Sequence, residues 1–292
     1  MQNEAIRKAT GSAYCYDYRE LPVQADIAAV SRYCEDRRKR FAPIAKAFDD
    51  RANSYWVLRH YLAIKFATAA NMLAGSAAYA QAHNLMLAVP YFNYYAALNA
   101  CRAFLLTSPQ VDWDGKNTVE MTHQNIINRT ADYMRELDPA RRVGWQEQLK
   151  ALRDHRELFS YRFPLSGPGV IGNAALDVDA AIALARLIAE LASLNSECLD
   201  GALRKHASME LRVTPLAEHK WAMAYEIAGI STPDPDDRHR FDKFVCGCNT
   251  VAPLEVMTSD GLVDDIYGNW TDADDRPGMF DPDDTHSIIL AL

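Results

Sequence analysis

The feature that most constrains the fold is a long alanine-rich stretch from Ser54 to His83. Alanine has the highest helix propensity, so this stretch predicts one long helix. Lys65, Asn71 and Gln81 interrupt its apolar part, so we expect a buried helix rather than a membrane span. Small side chains at spacings of three and four residues let a second helix approach closely, and bulky ones fill the space around them. These are Ala63, Ala67, Ala70, Ala74 and Ala78, with Trp56, Tyr61, Phe66 and Met72.

The rest of the chain shows mainly helical periodicity. Tyr14, Tyr16 and Tyr18 alternate as a weak strand-like arm, but no strand alternation recurs and no repeat of fixed period is visible. The sequence therefore predicts an all-α, mainly helical fold. Apolar spacing and end signals place further helices over residues 26–48, 91–106, 122–137, 174–207 and 215–228.

Composition is that of an ordinary globular protein, but the charge is unevenly placed. The 292 residues are 49% apolar and 24% charged, with a formal net charge of -8. From Pro233 onward there are 14 acidic residues against 4 basic ones, and the rest carries 25 against 27. A basic nucleic-acid footprint over the whole chain is excluded, and only a local basic groove is compatible with these numbers.

Six scattered cysteines and an N-terminus without an apolar leader favour a reducing cytoplasm. Cys246 and Cys248 supply two of the roughly four ligands that zinc needs, with only His239 nearby. The acidic runs at Asp234–Asp237, Asp272–Asp275 and Asp281–Asp284 lack the twelve-residue calcium loop with its closing Glu, so a solvated acidic face is expected. No metal and no cofactor are predicted.

We divide the chain into four segments. Residues 1–53 form an N-terminal arm and helix, and residues 54–164 form a helical module that ends before a Gly/Pro loop. Residues 165–232 supply C-terminal helices packed on that module. Residues 233–292 are rich in Asp, Pro and Gly and predict an acidic, loop-rich tail.

The stretch from Leu149 to Pro164 concentrates the residues that could carry chemistry. It is dense in Arg and His, has apolar residues at helical spacing, and is stopped by a proline. Arg153 and Glu157 are spaced to pair on the helix surface. No phosphate-binding glycine loop, Gly-x-Ser-x-Gly elbow or His-Glu-x-x-His motif occurs elsewhere.

Three segments within residues 54–164 resemble the HEPN superfamily of small helical proteins, many of them prokaryotic defence or toxin–antitoxin components. Residues 91–106 are similar to its second helix, residues 122–127 to the start of its third, and residues 149–164 to its motif helix. The family motif is an Arg, a polar residue, and a His five to seven residues after the Arg, often with a Tyr two further on. Here Arg156 takes the Arg position, while Tyr161 and Phe163 stand where the His and Tyr belong.

This departure bears on catalysis. In HEPN ribonucleases the His acts at the RNA 2′-hydroxyl and the leaving oxygen, and the Arg holds phosphate without metal. Imidazole suits this role near neutral pH, whereas a phenol with a pKa near 10 is a poor general base. Binding thus survives the replacement more easily than cleavage. The resemblance implies Arg156 and Tyr161 as the catalytic pair, if any catalysis occurs, and as RNA or phosphate contacts Arg153, His155, Arg156, Arg162 and His123.

Structural alternatives remain open for each candidate. Arg156 could pair with an acid on a neighbouring helix, Tyr161 could belong to the core, and His123 could be a helix cap. Arg102 lies on an apolar face and needs a buried partner, so an interhelical ion pair is expected. The basic run from Arg37 to Arg40 is expected to be a solvated face. Arg212 and His219 match the motif spacing but lack its helical context.

These observations lead to three hypotheses of function. The first is a catalytically degenerate HEPN-like protein that binds RNA or a partner protein in a bacterial defence or toxin–antitoxin system. The second is a divergent, metal-independent endoribonuclease that uses Arg156 and Tyr161. The third is a structural subunit whose acidic tail docks on a basic partner. The resemblance implies a homodimer, with Tyr91, Tyr94 and Tyr95 as its contact surface, and no membrane association is expected.

Overall fold

A computed structural model describes residues 2–115, 120–170, 177–207, 211–216, 218, 222–227, 230–271, 278–285 and 287–289. These residues form an all-α bundle that is 71% helical, with eleven helices and one short hairpin, so the predicted fold class is confirmed. The helices are α1 (Gln2–Thr10), α2 (Leu21–Gln24), α3 (Ile27–Lys46), α4 (Asp50–Ala82), α5 (Val89–Thr107), α6 (His123–Met134), α7 (Arg142–Glu157), α8 (Val178–His206), α9 (Pro235–Gly247), α10 (Leu254–Met257) and α11 (Asp260–Tyr267).

The centre of the bundle is made by α4, α5 and α8. The alanine-rich stretch lies within α4 as predicted, and its alanines at 63, 67, 70 and 74 are fully buried. Small side chains on this face allow α4 to pack closely along α5, which packs in turn on α8. No helix in the described part of the chain is both long enough and apolar enough to cross a membrane.

Local capping chemistry sets the starts of the long helices. Asp26 accepts a hydrogen bond from the Ala29 amide at the start of α3, and Asp49 caps α4 in the same way. Thr122 accepts from the Asn125 amide and begins α6, which confirms it as an N-cap. The helices predicted over 26–48, 54–83, 91–106 and 122–137 are therefore confirmed to within a few residues at most of their ends.

The N-terminal arm is not a strand. It begins with α1 and then runs in irregular backbone, in which Tyr16 and Tyr18 are buried. Two buried acids of α8 hold it. Glu190 accepts hydrogen bonds from three successive backbone amides of residues 19–21, and Glu197 accepts one from the Tyr16 amide at 2.7 Å.

The C-terminal part differs from its prediction in two ways. A helix was expected over residues 215–228, but Ala224–Ile227 is a strand (β1) that pairs antiparallel with Ile230–Pro233 (β2). The tail after Pro233 holds three helices instead of loops alone, because short apolar groups such as Phe241, Phe244 and Met257 bury against the bundle. Residues 174–176 and the acidic run at 272–275 lie outside the described residues.

One main hydrophobic core runs through the molecule. It extends from Ile6 to Ile289 and includes residues from each of the four segments that composition distinguishes. All six cysteines are described, and none forms a disulfide. Asp234 of the first acidic run accepts hydrogen bonds from the amides of Asp236 and Asp237 and thereby caps α9.

Candidate anion-binding site at Arg156

The site lies where α7 ends. Its buried face carries Trp145, Leu149, Leu152 and Arg156, spaced three and four residues apart. An arginine thus takes the last position of an otherwise apolar stripe, and the stripe packs against α5 and α6. As a result, Arg156 is buried, with 6% of its surface exposed.

The chain after α7 has an unusual conformation. It continues as a π-helical turn, Leu158–Arg162, and ends at Phe163, whose φ of 41° lies in the left-handed region. A bulky residue rarely adopts this conformation, and Pro164 disfavours a right-handed helical backbone at the residue before it. Single π-helical turns occur frequently at functional sites. Here the turn carries Tyr161 back over Arg156.

Three tyrosine rings surround the guanidinium of Arg156. Its Cζ lies 5.1 Å from the ring centre of Tyr94, 5.6 Å from Tyr95 and 5.7 Å from Tyr161. Nη1 donates a hydrogen bond to the Tyr161 hydroxyl at 3.2 Å. Cation–π contacts of this kind stabilise a charge by about 1–2 kcal/mol, less than a buried carboxylate partner would.

The positive charge of Arg156 has no acidic partner among the described residues. Its Nε is buried and makes no hydrogen bond within the part of the chain that the structure describes. Burial lowers the pKa of Arg156, but Tyr95 and Tyr161 raise it by more, so its net direction is upward. Arg156 therefore forms no interhelical ion pair with a described acid.

A cavity of about 840 Å³ opens beside Arg156. It lies between the turn that joins α4 to α5 and the π-helical turn after α7. Apart from Arg156, its walls are mainly apolar, and the cavity is open to solvent, so an anion can reach the guanidinium. The residues that shape it are Leu85, Met86, Leu87, Ala88, Tyr91 and Phe159.

Large apolar side chains are exposed around this cavity and on the segment that follows it. Tyr161 is 75% exposed, so the alternative that it belongs to the core is wrong. Its ring can contact a ligand while its hydroxyl stays bonded to Arg156. The other exposed side chains are Leu85, Leu87, Tyr91, Phe163 and Leu165.

His123 joins this cluster from the start of α6. Its ring centre lies 5.7 Å from that of Tyr94 and 6.1 Å from that of Tyr95. Burial lowers its pKa, and the positive charges of Arg102 and Arg156 lower it further. Burial raises the pKa of Tyr94 to about 12, an effect that Arg156 only partly offsets. Both groups are therefore neutral at pH 7.

Three other predicted contacts lie apart from the guanidinium. Arg153 bonds Gln124 and Asp154, and its Nε is 3.9 Å from Glu157, so the expected helix-surface pair is present but loose. His155 has a buried Nδ1 with no partner in the described chain, and burial lowers its pKa. Arg162 is exposed on the π-helical turn.

Two predictions for other arginines are corrected. Arg102 forms no ion pair with a described acid; it donates to Asn99 at 3.2 Å and lies over the Phe66 ring instead. Arg37, expected on a solvated face, is wholly buried and pairs with Glu136 at 2.7 Å. The pattern missed this because Arg37 falls on the buried stripe of α3, whereas Lys39 and Arg40 of the same run are exposed.

The sequence reasoning also missed the aromatic surround of Arg156. Tyr94 is only 2% exposed, so the prediction that it forms a dimer surface is wrong. Two adjacent tyrosines on a helix cannot share one face, which is a signal that at least one of them turns inward. Tyr91 remains available at the surface, with 47% exposed.

Neither a metal-ligand cluster nor a known relative identifies a function for this site. No group of three His, Cys, Asp or Glu side chains converges within the described residues. His219 of the alternative spacing match lies outside them. Comparison with protein-family models, curated proteins and solved structures finds no match to this chain.

Proposed function

We propose that the protein binds single-stranded RNA at Arg156 without cleaving it, as a HEPN-like component of a bacterial defence or toxin–antitoxin system in the cytoplasm. The observation that supports this most is a buried guanidinium that has no acid partner among the described residues and lines a cavity. A buried charge of this kind is costly unless a counter-charge is supplied. A ligand anion supplies it.

Phosphate suits this position. The guanidinium is planar, permanently charged and matched to phosphate oxygens. A phosphate in the cavity would accept a hydrogen bond from Arg156, and the Tyr161 hydroxyl, 3.2 Å from Nη1, would fix the orientation of the guanidinium. Because only 6% of Arg156 is exposed, water competes less for its donors than it does at a surface arginine.

The exposed aromatic rings favour nucleic acid over free phosphate. Proteins that bind single-stranded RNA stack unpaired bases on aromatic side chains, at about 1–3 kcal/mol per base. Tyr161, Phe163 and Tyr91 are all about half exposed or more. Because the net charge is -8, we expect a short footprint with few phosphate contacts rather than a long duplex track.

Binding assays with a short fluorescein-labelled single-stranded RNA test this proposal. Arg156→Gln is expected to weaken binding about tenfold or more, because it removes a charged hydrogen bond to phosphate. Lys150→Gln removes one positive charge from the same helix and serves as the matched control, with binding unchanged within about twofold. Equal affinity of wild type and Arg156→Gln would refute the proposal.

Cleavage is the second candidate function, favoured by the hydrogen bond that joins Arg156 to Tyr161. Purified protein incubated with total RNA in EDTA separates the two. We expect intact RNA, since Tyr161 is a poor general base and the His123 imidazole lies at the start of α6 rather than at the motif position after Arg156. RNA cleavage that disappears in Arg156→Ala would replace the binding proposal with the endoribonuclease one.

The HEPN resemblance also leads us to propose a homodimer. Leu85, Leu87 and Leu165 are exposed near the cavity and would be covered by a second copy. Light scattering at micromolar concentration is expected to give twice the 32.7 kDa chain mass. A monomer at that concentration would contradict this part of the proposal.

A further inference from the structure

A second cavity, of about 690 Å³, lies between α4 and the C-terminal region. One face of α4 lines it from Tyr61 to Ser76. At 1.5 Å per helical residue this face is about 22 Å long, so the cavity is an elongated groove. Its two ends differ in chemistry.

The end of the groove at Tyr61 is charged. Asp237 is buried. It accepts a hydrogen bond from the Tyr61 hydroxyl at 2.6 Å and forms an ion pair with Lys65. Asp234 is occupied as the cap of α9, with two amide hydrogen bonds at 3.1 Å. These two carboxylates therefore already have their partners, and Asp236 is exposed.

The cations at this end retain unused donors. Arg240 donates from Nη2 to the Asp265 carbonyl at 3.3 Å, but its Nε is buried and has no acceptor among the described residues. Lys65 pairs with a single oxygen of Asp237 and keeps further ammonium protons. A buried donor without an acceptor is unfavourable, so an incoming anion gains there.

The other end of the groove is mainly apolar. Met72 and Leu73 of α4 and Phe280 from the C-terminal region line it, together with the neutral side chain of Ser76. Trp270 also lines the cavity and is 76% exposed, which is unusual for so large an apolar side chain. A hydrocarbon chain along this end would cover these side chains.

We infer that this groove binds an amphipathic monocarboxylate. Its carboxylate accepts hydrogen bonds from Arg240 and Lys65, and its hydrocarbon part lies along Met72 and Leu73, under Trp270. The charged residues of the groove hold one end of the ligand, and the apolar residues favour a chain over a small acid such as acetate. This site is independent of the RNA site at Arg156.

Calorimetric titration of the full chain with decanoate tests the inference. Arg240→Gln, which removes a cation, and Trp270→Ala, which removes an apolar side chain, are each expected to weaken binding about tenfold. Arg238→Gln, on the exposed side of the same helix and paired with Asp242, is the matched control and should bind as wild type does. Decylamine, with the opposite charge, should bind at least about tenfold more weakly than decanoate.

Three results would overturn the inference. The first is no decanoate binding at millimolar concentration. The second is decylamine binding as tightly as decanoate. The third is binding that Arg156→Gln abolishes while Arg240→Gln and Trp270→Ala leave it unchanged, because this would move the carboxylate to the first cavity. Since RNA binding is measured separately, its failure does not affect this test.

Discussion

Two arginines of this protein have little exposed surface, 1% for Arg59 and 6% for Arg156, yet their surroundings differ. Arg59 of α4 donates to the carbonyl oxygens of Leu106, Ser108 and Val111 at 2.6, 2.9 and 3.1 Å, and thereby closes the C-terminal end of α5. Arg156, by contrast, donates to the Tyr161 hydroxyl and is otherwise surrounded by tyrosine rings among the described residues.

This difference distinguishes a buried charge that stabilises the fold from a buried charge that can bind a ligand. Arg59 uses its donors within the fold, and burial lowers its pKa. Arg37 is a second example of a paired charge, with an ion pair to Glu136 and a contact with the Tyr33 ring at 4.4 Å. The Nε atoms of Arg37 and Arg156 both lack an acceptor among the described residues, but Arg156 also has no acid partner there and lies beside a cavity. The region around Arg59 is complete, whereas the region around Arg156 is open to a ligand.

The largest expected effect is on Arg59. Arg59→Gln should lower the free energy of unfolding by about 3–5 kcal/mol, because it leaves several carbonyl oxygens buried without donors. Arg156→Gln should change it by about 1 kcal/mol or less, because no acid is left unpaired. Urea denaturation of both variants measures this. Equal losses would remove the distinction between the two regions.

Glu197 adds a pH dependence to the tightly packed region. Burial raises the pKa of its carboxyl to about 7, from 4.5 in an unfolded chain. The folded state then binds more protons between these values, so the contribution of Glu197 to stability is complete below pH 4.5 and falls by about 3 kcal/mol as the pH rises through about 7. Glu197→Gln should remove this fall, which stability curves at pH 5 and pH 8 would show. A fall unchanged in the variant would exclude Glu197 as its source.

Substitutions at two glycines compare a tightly packed position with an open one. A Cβ on Gly201 of α8 would lie 2.1 Å from the Thr10 carbonyl oxygen, so Gly201→Ala should destabilise by about 2–3 kcal/mol. Gly144 of α7 has no atom within 4 Å of its Cβ position among the described residues, so Gly144→Ala should stabilise by about 0.5–1 kcal/mol. Thermal unfolding compares them, and a stabilised Gly201→Ala would contradict the close contact with α1.

The sequence predicted much of this fold because its signals are local. The caps at Asp26 and Thr122 and the alanine spacing of α4 each act within a few residues, so helix type and starts follow from them. The helices of the tail were not predicted because their apolar segments are short. These segments are stabilised as helices by packing on the bundle.

The candidate site was only partly predictable. The resemblance to the HEPN motif paired Arg156 with Tyr161, and the structure brings them into contact. Spacing alone could not show that Tyr94 and Tyr95 surround the guanidinium, or that no described acid faces it. Those facts depend on which face of α5 meets α7, which is a tertiary property.

The central claim is that Arg156 is kept for binding an anion rather than for stability. Its most direct test measures RNA affinity and unfolding free energy on the same preparation of Arg156→Gln. We predict an affinity reduced about tenfold or more with stability unchanged within about 1 kcal/mol. Two results would contradict the claim. One is an RNA affinity of Arg156→Gln equal to that of the wild type, and the other is a wild type that does not bind RNA together with a stability loss of about 3 kcal/mol in Arg156→Gln.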